Sequence, residues 1–172
     1  PDRSAHELAV GGQGIDDGPG GDVFEGLAIL NALRQHPARK TVTVDGMAAS
    51  AASFIAMAGD VVRMSPQSMM MVHDANAAAQ GDARDMRALA DLLDKTSDNI
   101  AAVYAQRTGK SVEDWRKVML EETWFTDQEV VDAGLADEII PAKKVKNVTN
   151  KIVNEGGTQD GVTELGDGWV RD

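Results

Sequence analysis

At 172 residues and 42% apolar content the chain can bury one real core, and with aromatics at only 4% that core must come from Ala, Val, Leu, Ile and eight Met. A formal net charge of −11 argues against nucleic acid or an anionic membrane as the main partner, because both repel it. The lack of cysteine excludes disulfides and thiolate metal sites, and no run reaches the roughly 18 apolar residues of a membrane span or forms a signal peptide, so the cytoplasm is the expected location.

Residues 1–17 carry glycine and aspartate outside any pattern and offer only Leu8-Ala9-Val10 as an apolar patch, so they read as an irregular or truncated start. Asp22-Val23-Phe24-Glu25 has capping-box spacing, and Val23, Leu27, Leu30 and Leu33 then recur helically to about Gln35, with Pro37 ending the helix. Thr41 to Asp45 is a short β-branched strand. Ser50 to Ala58 reads as a small-residue helix stopped by Gly59. Val61–Met64 and Met69–Val72 are strands, the second without polar alternation and so expected to be buried on both faces.

From Asp82 to about Arg107 a long helix is expected, of roughly 39 Å at 1.5 Å per residue. Its apolar stripe of Met86, Leu89, Leu93, Ile100, Val103 and Tyr104 is interrupted by Thr96 and Ser97, and either a partner or the chain's own core can cover it. Ser111 starts another helix running to about Leu120. Thr126-Asp127-Gln128-Glu129 is a capping box for a short helix closing at Gly134, and Ile139-Ile140 is a last strand before Pro141. Residues 147–172 turn polar and glycine-rich, as a flexible tail does. The alternation of strands and helices predicts an α/β fold with a mostly parallel sheet and right-handed βαβ crossovers over residues 18–146.

Ser50 stands at a strand-to-helix turn, where free N–H groups and the positive helix end stabilise negative charge. Taken alone, a serine before an apolar helix reads more simply as an N-cap. Among the three histidines, His6 lies in the irregular start and His36 follows a helix, where the dipole alone favours it. His73 ends a buried strand, the place where α/β sheets meet a ligand crevice. Ser50 and His73 together supply a nucleophile and a base to take its proton. Gly18-Pro19-Gly20-Gly21 is either a plain turn or a loop whose N–H groups point into a site; one such donor with the N–H of Ala51 would make an oxyanion hole.

The order Pro-Gly-Gly, helix, strand, Gly46-Met47-Ala48-Ala49-Ser50, helix, strand, Met70-Met71-Val72-His73, long helix, Trp124-Phe125-Thr126 and Ala133-Gly134-Leu135-Ala136-Asp137 resembles the ClpP family of serine peptidases, and most of all its phage-type members used in head maturation. The likeness covers about residues 18–140. It implies the ClpP/crotonase-like fold with a handle helix, Ser50 as nucleophile, His73 as general base, and Gly21 with Ala51 as backbone oxyanion donors. It also implies that the segment Gly20, Gly21, Asp22 and Val23 pairs with an extended polypeptide substrate, that helix 82–107 stacks homo-oligomeric rings, and that no metal or cofactor is used. A phage-type enzyme implies the host cytoplasm and no AAA+ unfoldase, whereas a housekeeping one would dock such an ATPase.

The family's third triad member is usually an aspartate two residues before the phenylalanine of the late motif, and here Thr123 stands there, with Glu122 beside it. A threonine hydroxyl can accept the imidazole N–H and fix its tautomer, without the charge that stabilises imidazolium. Thr123 is taken as the third member. Two other readings stay open: a ring or assembly subunit with impaired catalysis, and a crotonase-like acyl-CoA enzyme using paired N–H groups on a thioester.

Overall fold

The computed structural model describes residues 6–10, for their backbone, and 23–142. The first strand, β1 (His6–Val10), pairs in parallel with β2 (Lys40–Val44), Leu8 opposite Val42. The expected irregular start thus contains a strand: a five-residue segment with a short apolar centre is a weak signal by itself, and the edge of β2 supplies its ladder. Helix α1 (Val23–Gln35) leads into β2. The cap expected at Asp22, the glycine loop 18–21 and the tail 147–172 lie outside the described residues.

The β-branched run of β2 gives way at Asp45-Gly46 to a second short strand, β3 (Met47–Ala49), and then to α2 (Ala51–Ala56). Strands β4 (Val61–Met64) and β5 (Met69–Val72) follow, then α3 (Ala83–Thr108), α4 (Val112–Leu120), β6 (Thr123–Thr126), α5 (Asp127–Ala133) and β7 (Glu138–Ile139). The strands form two sheets, a parallel one in the order β1-β2-β4-β7 and a smaller one in the order β3-β5-β6, in which only the β5–β6 pair is antiparallel. The molecule is α/β with mostly parallel strands, as expected. β3 and β6 escape the sequence reading because β3 lies in the small-residue segment leading into α2 and β6 between two helix signals, so neither stands out without its partner β5.

Local chemistry sets the element ends. Asp82 caps α3 through the Arg84 and Asp85 N–H groups, while Asp85 returns a bond to the Asp82 N–H. Ser111 caps α4, and Thr126 with Glu129 forms the expected box on α5. Gly109 and Gly134, at φ 75 and 84, close α3 and α5 in the left-handed conformation that costs glycine nothing. In the segment Ala133-Gly134-Leu135-Ala136-Asp137, Leu135 is fully buried and the Asp137 carboxylate accepts from the Val62 N–H and from Arg107, so the segment ties β7 to β4 and α3.

The core is aliphatic, as the composition requires: Leu30, Val42, Val44, Val62, Met64, Met70 and Val72 are all buried. Its main aromatic cluster sets Trp115 against Tyr104, the rings tilted by 41° at 5.1 Å, and near Phe125 at 6.4 Å, with the indole N–H bonded to Thr108. Strand β5 differs from expectation. Met70 and Val72 are buried while Met69 is 37% exposed, because in a three-stranded sheet with an antiparallel edge partner only one face meets the core. Helix α3 also divides: every buried residue lies at Thr96 or beyond, and the first half leaves Met86 and Leu92 exposed. The two polar residues that break its stripe, Thr96 and Ser97, are themselves buried.

Candidate active site

Strand β3 pairs with β5 so that Ala49 lies opposite Met71, and the ladder continues one bond further, from the Ser50 N–H to the Met71 carbonyl. This brings the residue after β3 beside the residue after β5. The Ser50 Oγ and His73 Nε2 are 2.8 Å apart.

Ser50 occupies the cap position of α2, yet its side chain makes no capping bond. Its backbone lies at φ 53, ψ −123, a region that costs a non-glycine residue on the order of 1–3 kcal/mol. The N-cap alternative is thereby corrected: a capping serine takes an extended conformation and turns its oxygen onto the helix N–H groups, whereas this one turns it onto an imidazole. The N–H of Ala51, the first helical residue, accordingly has no acceptor among the described residues.

For Nε2 to accept the serine proton, the imidazole proton must sit on Nδ1. The group facing Nδ1 is the Asn76 carboxamide, at 3.5 Å, the long limit of a hydrogen bond. Turned about its bond to the chain, the same amide presents its oxygen to an Nδ1–H. The structure does not bring Thr123 to that position. Its hydroxyl donates to the Val118 carbonyl at 2.7 Å, closing the turn after α4, and no bond joins it to His73. Glu122 occupies that turn at φ 48 with its side chain exposed.

The loop that carries His73 is held from two helices. The Ala75 N–H donates to the buried Ser97 hydroxyl at 2.9 Å, and the Asp74 N–H donates to the Met119 carbonyl at 3.2 Å. Arg116 adds an ion pair to Asp74, 3.3 Å away, and also reaches Asp94 and Asp98. Ser97, one of the two residues that break the α3 stripe, thus anchors the His73 loop. Under Ser50, the Ser53 Oγ donates to the Ser50 carbonyl at 2.5 Å and takes a bond from the Tyr104 hydroxyl at 2.7 Å. Burial pushes the Tyr104 hydroxyl well above its ordinary pKa, so it stays protonated.

Of the other expected site residues, Val23 opens α1 and packs partly buried on the core, while Gly20, Gly21 and Asp22 lie outside the described residues. His36, read as needing no function, accepts from the Ala38 N–H beyond the end of α1. Asn76, Ser53, Tyr104 and Ser97 were not read as site residues from the sequence. Tyr104 carried the one usable sign: the chain's single tyrosine, with a polar tip on an apolar stripe. No helix among the described residues is long and apolar enough to cross a membrane.

The family model described as Clp protease matches residues 15–143. Among curated proteins, the chain is 31% identical over 130 residues to the ATP-dependent Clp protease proteolytic subunit 1 of Protochlamydia amoebophila, a match covering 73% of this chain and 63% of that one. It is 34% identical over 134 residues to the corresponding subunit 1 of Prochlorococcus marinus (76% and 67%), and 35% identical over 128 residues to the proteolytic subunit of Ligilactobacillus salivarius (73% and 65%). The chain spans about two thirds of the length of these relatives. A family match that runs through both the serine turn and the histidine loop, with identities above 30%, establishes that the chain belongs to the Clp protease family.

Proposed function

We propose that the chain is the proteolytic subunit of a serine endopeptidase that cleaves polypeptides through an acyl-enzyme. The observation that carries this reading is the 2.8 Å approach of Ser50 Oγ to His73 Nε2 from a backbone conformation that keeps the hydroxyl off the helix. Ser50 attacks the scissile carbonyl as His73 takes its proton at Nε2. The imidazolium then delivers that proton to the leaving amine, and a water activated by the same nitrogen hydrolyses the ester. The Ala51 N–H, at the positive end of α2, and the Gly21 N–H receive the oxyanion, each donor worth about 10²–10³ in rate. Gly20, Gly21 and Asp22 pair with the substrate as an added strand, while Val23 already begins α1 and bounds that segment. Asn76 takes the place of the triad carboxylate, as an amide does in cysteine peptidases with a Cys-His-Asn site.

The subunit acts as a homo-oligomer of stacked rings, with the outer half of α3 as the ring-to-ring contact. In support, that half exposes Met86 and Leu92 at 38% and 48%, an apolar area its own subunit leaves uncovered. The biological setting we favour is phage prohead or capsid maturation in the host cytoplasm, without an unfoldase, on the strength of the motif resemblance. The relatives' name, ATP-dependent Clp protease, favours instead a subunit fed by an AAA+ ATPase. The neutral group at Nδ1 favours as a second reading a ring subunit with impaired catalysis.

Fluorophosphonate labelling of the assembled protein tests the reaction. Labelling that disappears in Ser50→Ala while the oligomer persists is the expected result; labelling that survives the substitution overturns it. Degradation of an unstructured protein without ATP, set beside that of a stably folded one, separates the two settings.

A further inference from the structure

Ser50 is held by three of its atoms. Its N–H is bonded to Met71, its Oγ to His73, and its carbonyl to Ser53, which donates both its N–H at 3.0 Å and its hydroxyl at 2.5 Å. The Ser53 hydroxyl has one hydrogen and spends it on the Ser50 carbonyl. The 2.7 Å contact to Tyr104 must therefore run the other way, from the tyrosine O–H to the Ser53 oxygen. Ser53 is fully buried and Tyr104 is 1% exposed, so water does not compete for either hydroxyl.

The carbonyl at the end of this chain belongs to the peptide that joins Ser50 to Ala51. A trans peptide is planar, with its C=O and N–H antiparallel. Whatever fixes the direction of the Ser50 oxygen also fixes, in the opposite direction, the N–H of Ala51. Bonds in series polarise one another, so donation into the carbonyl makes that N–H a better donor as well. We infer that Tyr104 and Ser53 are positioning residues that aim the Ala51 N–H at the developing oxyanion, through a hydroxyl relay that starts on α3 and ends on the nucleophile's own peptide plane. The inference rests on the serine-peptidase reading above.

The same arrangement places the control of the donor in the helix whose outer half we assign to ring contact. Tyr104 lies in the buried half of α3, beyond Thr96 and Ser97, and Ser97 anchors the His73 loop. One helix therefore supports the base through Ser97 and the oxyanion donor through Tyr104.

The test uses the assembled full chain and a peptide substrate. Tyr104→Phe keeps the ring and its tilted contact with Trp115 and deletes only the donor. A mis-aimed donor costs less than an absent one, so kcat is expected to fall about tenfold with KM within about twofold. Ser53→Ala is expected to fall at least as far. The double variant should be no worse than Ser53→Ala alone, because the two hydroxyls act in one chain. A peptide boronate, which mimics the tetrahedral oxyanion, should lose affinity in step with kcat, while a product-like peptide should not. Thr108→Ala serves as the stability control: it removes a hydroxyl from the same helix, one bonded to the Tyr104 carbonyl and the Trp115 indole, and is expected to lower the melting temperature with kcat kept.

Wild-type kcat and boronate affinity in Tyr104→Phe would overturn the relay, as would losses that only track the melting temperature as Thr108→Ala does. Either result leaves the nucleophile in place provided Ser50→Ala still abolishes labelling. Labelling that persists in Ser50→Ala removes the peptidase reading, and the relay with it.

Discussion

Ser50 Oγ lies 2.8 Å from His73 Nε2 although the two residues belong to different strand ends and are separated by 23 positions in the chain. The juxtaposition follows from the short parallel pairing of β3 with β5, in which Ala49 lies opposite Met71 and the Ser50 N–H bonds to the Met71 carbonyl, so that both chains leave the sheet at neighbouring levels. A base in hydrogen-bond reach of a hydroxyl typically contributes 10²–10⁴ in rate. His73→Gln is therefore expected to lower kcat/KM for a peptide substrate by about that factor, with the oligomer intact by native mass spectrometry. A loss of less than about tenfold would mean that His73 is not the base.

Thr123 is expected to matter for stability and little for catalysis. Its hydroxyl is committed to the Val118 carbonyl, so Thr123→Val should cost about 1 kcal/mol in urea denaturation and change kcat by less than about twofold. Asn76→Ala should do the reverse, lowering kcat while leaving the urea midpoint nearly unchanged, since Asn76 is exposed. Kinetics on the two variants side by side decide which residue supports the imidazole.

Gly26 is where α1 crosses α2. A Cβ there would stand 2.7 Å from the end of the Phe54 ring, itself 2% exposed, and 3.4 Å from the Ala51 Cβ. Gly26→Ala gains up to about 1 kcal/mol of helix propensity but overpacks a buried ring, which costs about 1–3 kcal/mol. Because a buried ring has nowhere to swing, the overpacking should win and the variant should unfold at lower urea. A more stable variant would show that α1 can move off α2 freely.

The acid limb of stability has an identifiable contributor in Glu129. The Thr126 backbone N–H, and then its hydroxyl, hold this carboxylate below its ordinary pKa. A depressed value means that the folded state binds the proton less readily than the unfolded chain. The contribution is therefore whole above the ordinary glutamate value of about 4.3 and is lost as the pH falls from there through the folded value. Thr126→Ala should bring the Glu129 titration, followed by carboxyl NMR, back up toward that ordinary value. An unmoved titration would remove the capping box as the cause.

The exposed half of α3 should govern assembly without governing the subunit's own fold. Leu92 is 48% exposed, so Leu92→Glu is expected to break rings into smaller species by native mass spectrometry. Circular dichroism should be unchanged. An intact assembly would place the ring contact elsewhere.

Elements with strong local signals were legible in the sequence alone. The helix starts at Asp82, Ser111 and Thr126, the glycine stop at 134, and the 3.6-residue period of α3 fall where local chemistry puts them, because each rests on residues within one or two turns. The candidate nucleophile and base were legible too, as the residues that follow two short apolar segments in a fixed order. What the chain order could not carry was anything decided by contact between distant segments. β1, β3 and β6 do not stand out as strands without the partners β2 and β5 that supply their ladders, and β5 leaves Met69 exposed because only one face of its small sheet meets the core.

The site divides in the same way. That Ser50 stands at a strand-to-helix turn is local; that it abandons the cap for His73 at φ 53 depends on β3 lying against β5. Thr123 sits two residues before Phe125 by sequence, but a hydroxyl bonds to what is nearest in space, and the turn after α4 offers it the Val118 carbonyl first. Tyr104 is 51 residues from Ser53, so only packing of α3 on α2 could join their hydroxyls. Residue type and order thus named the candidate pair, while the orientation of that pair came from hydrogen bonds between segments whose separation along the chain leaves no periodic trace.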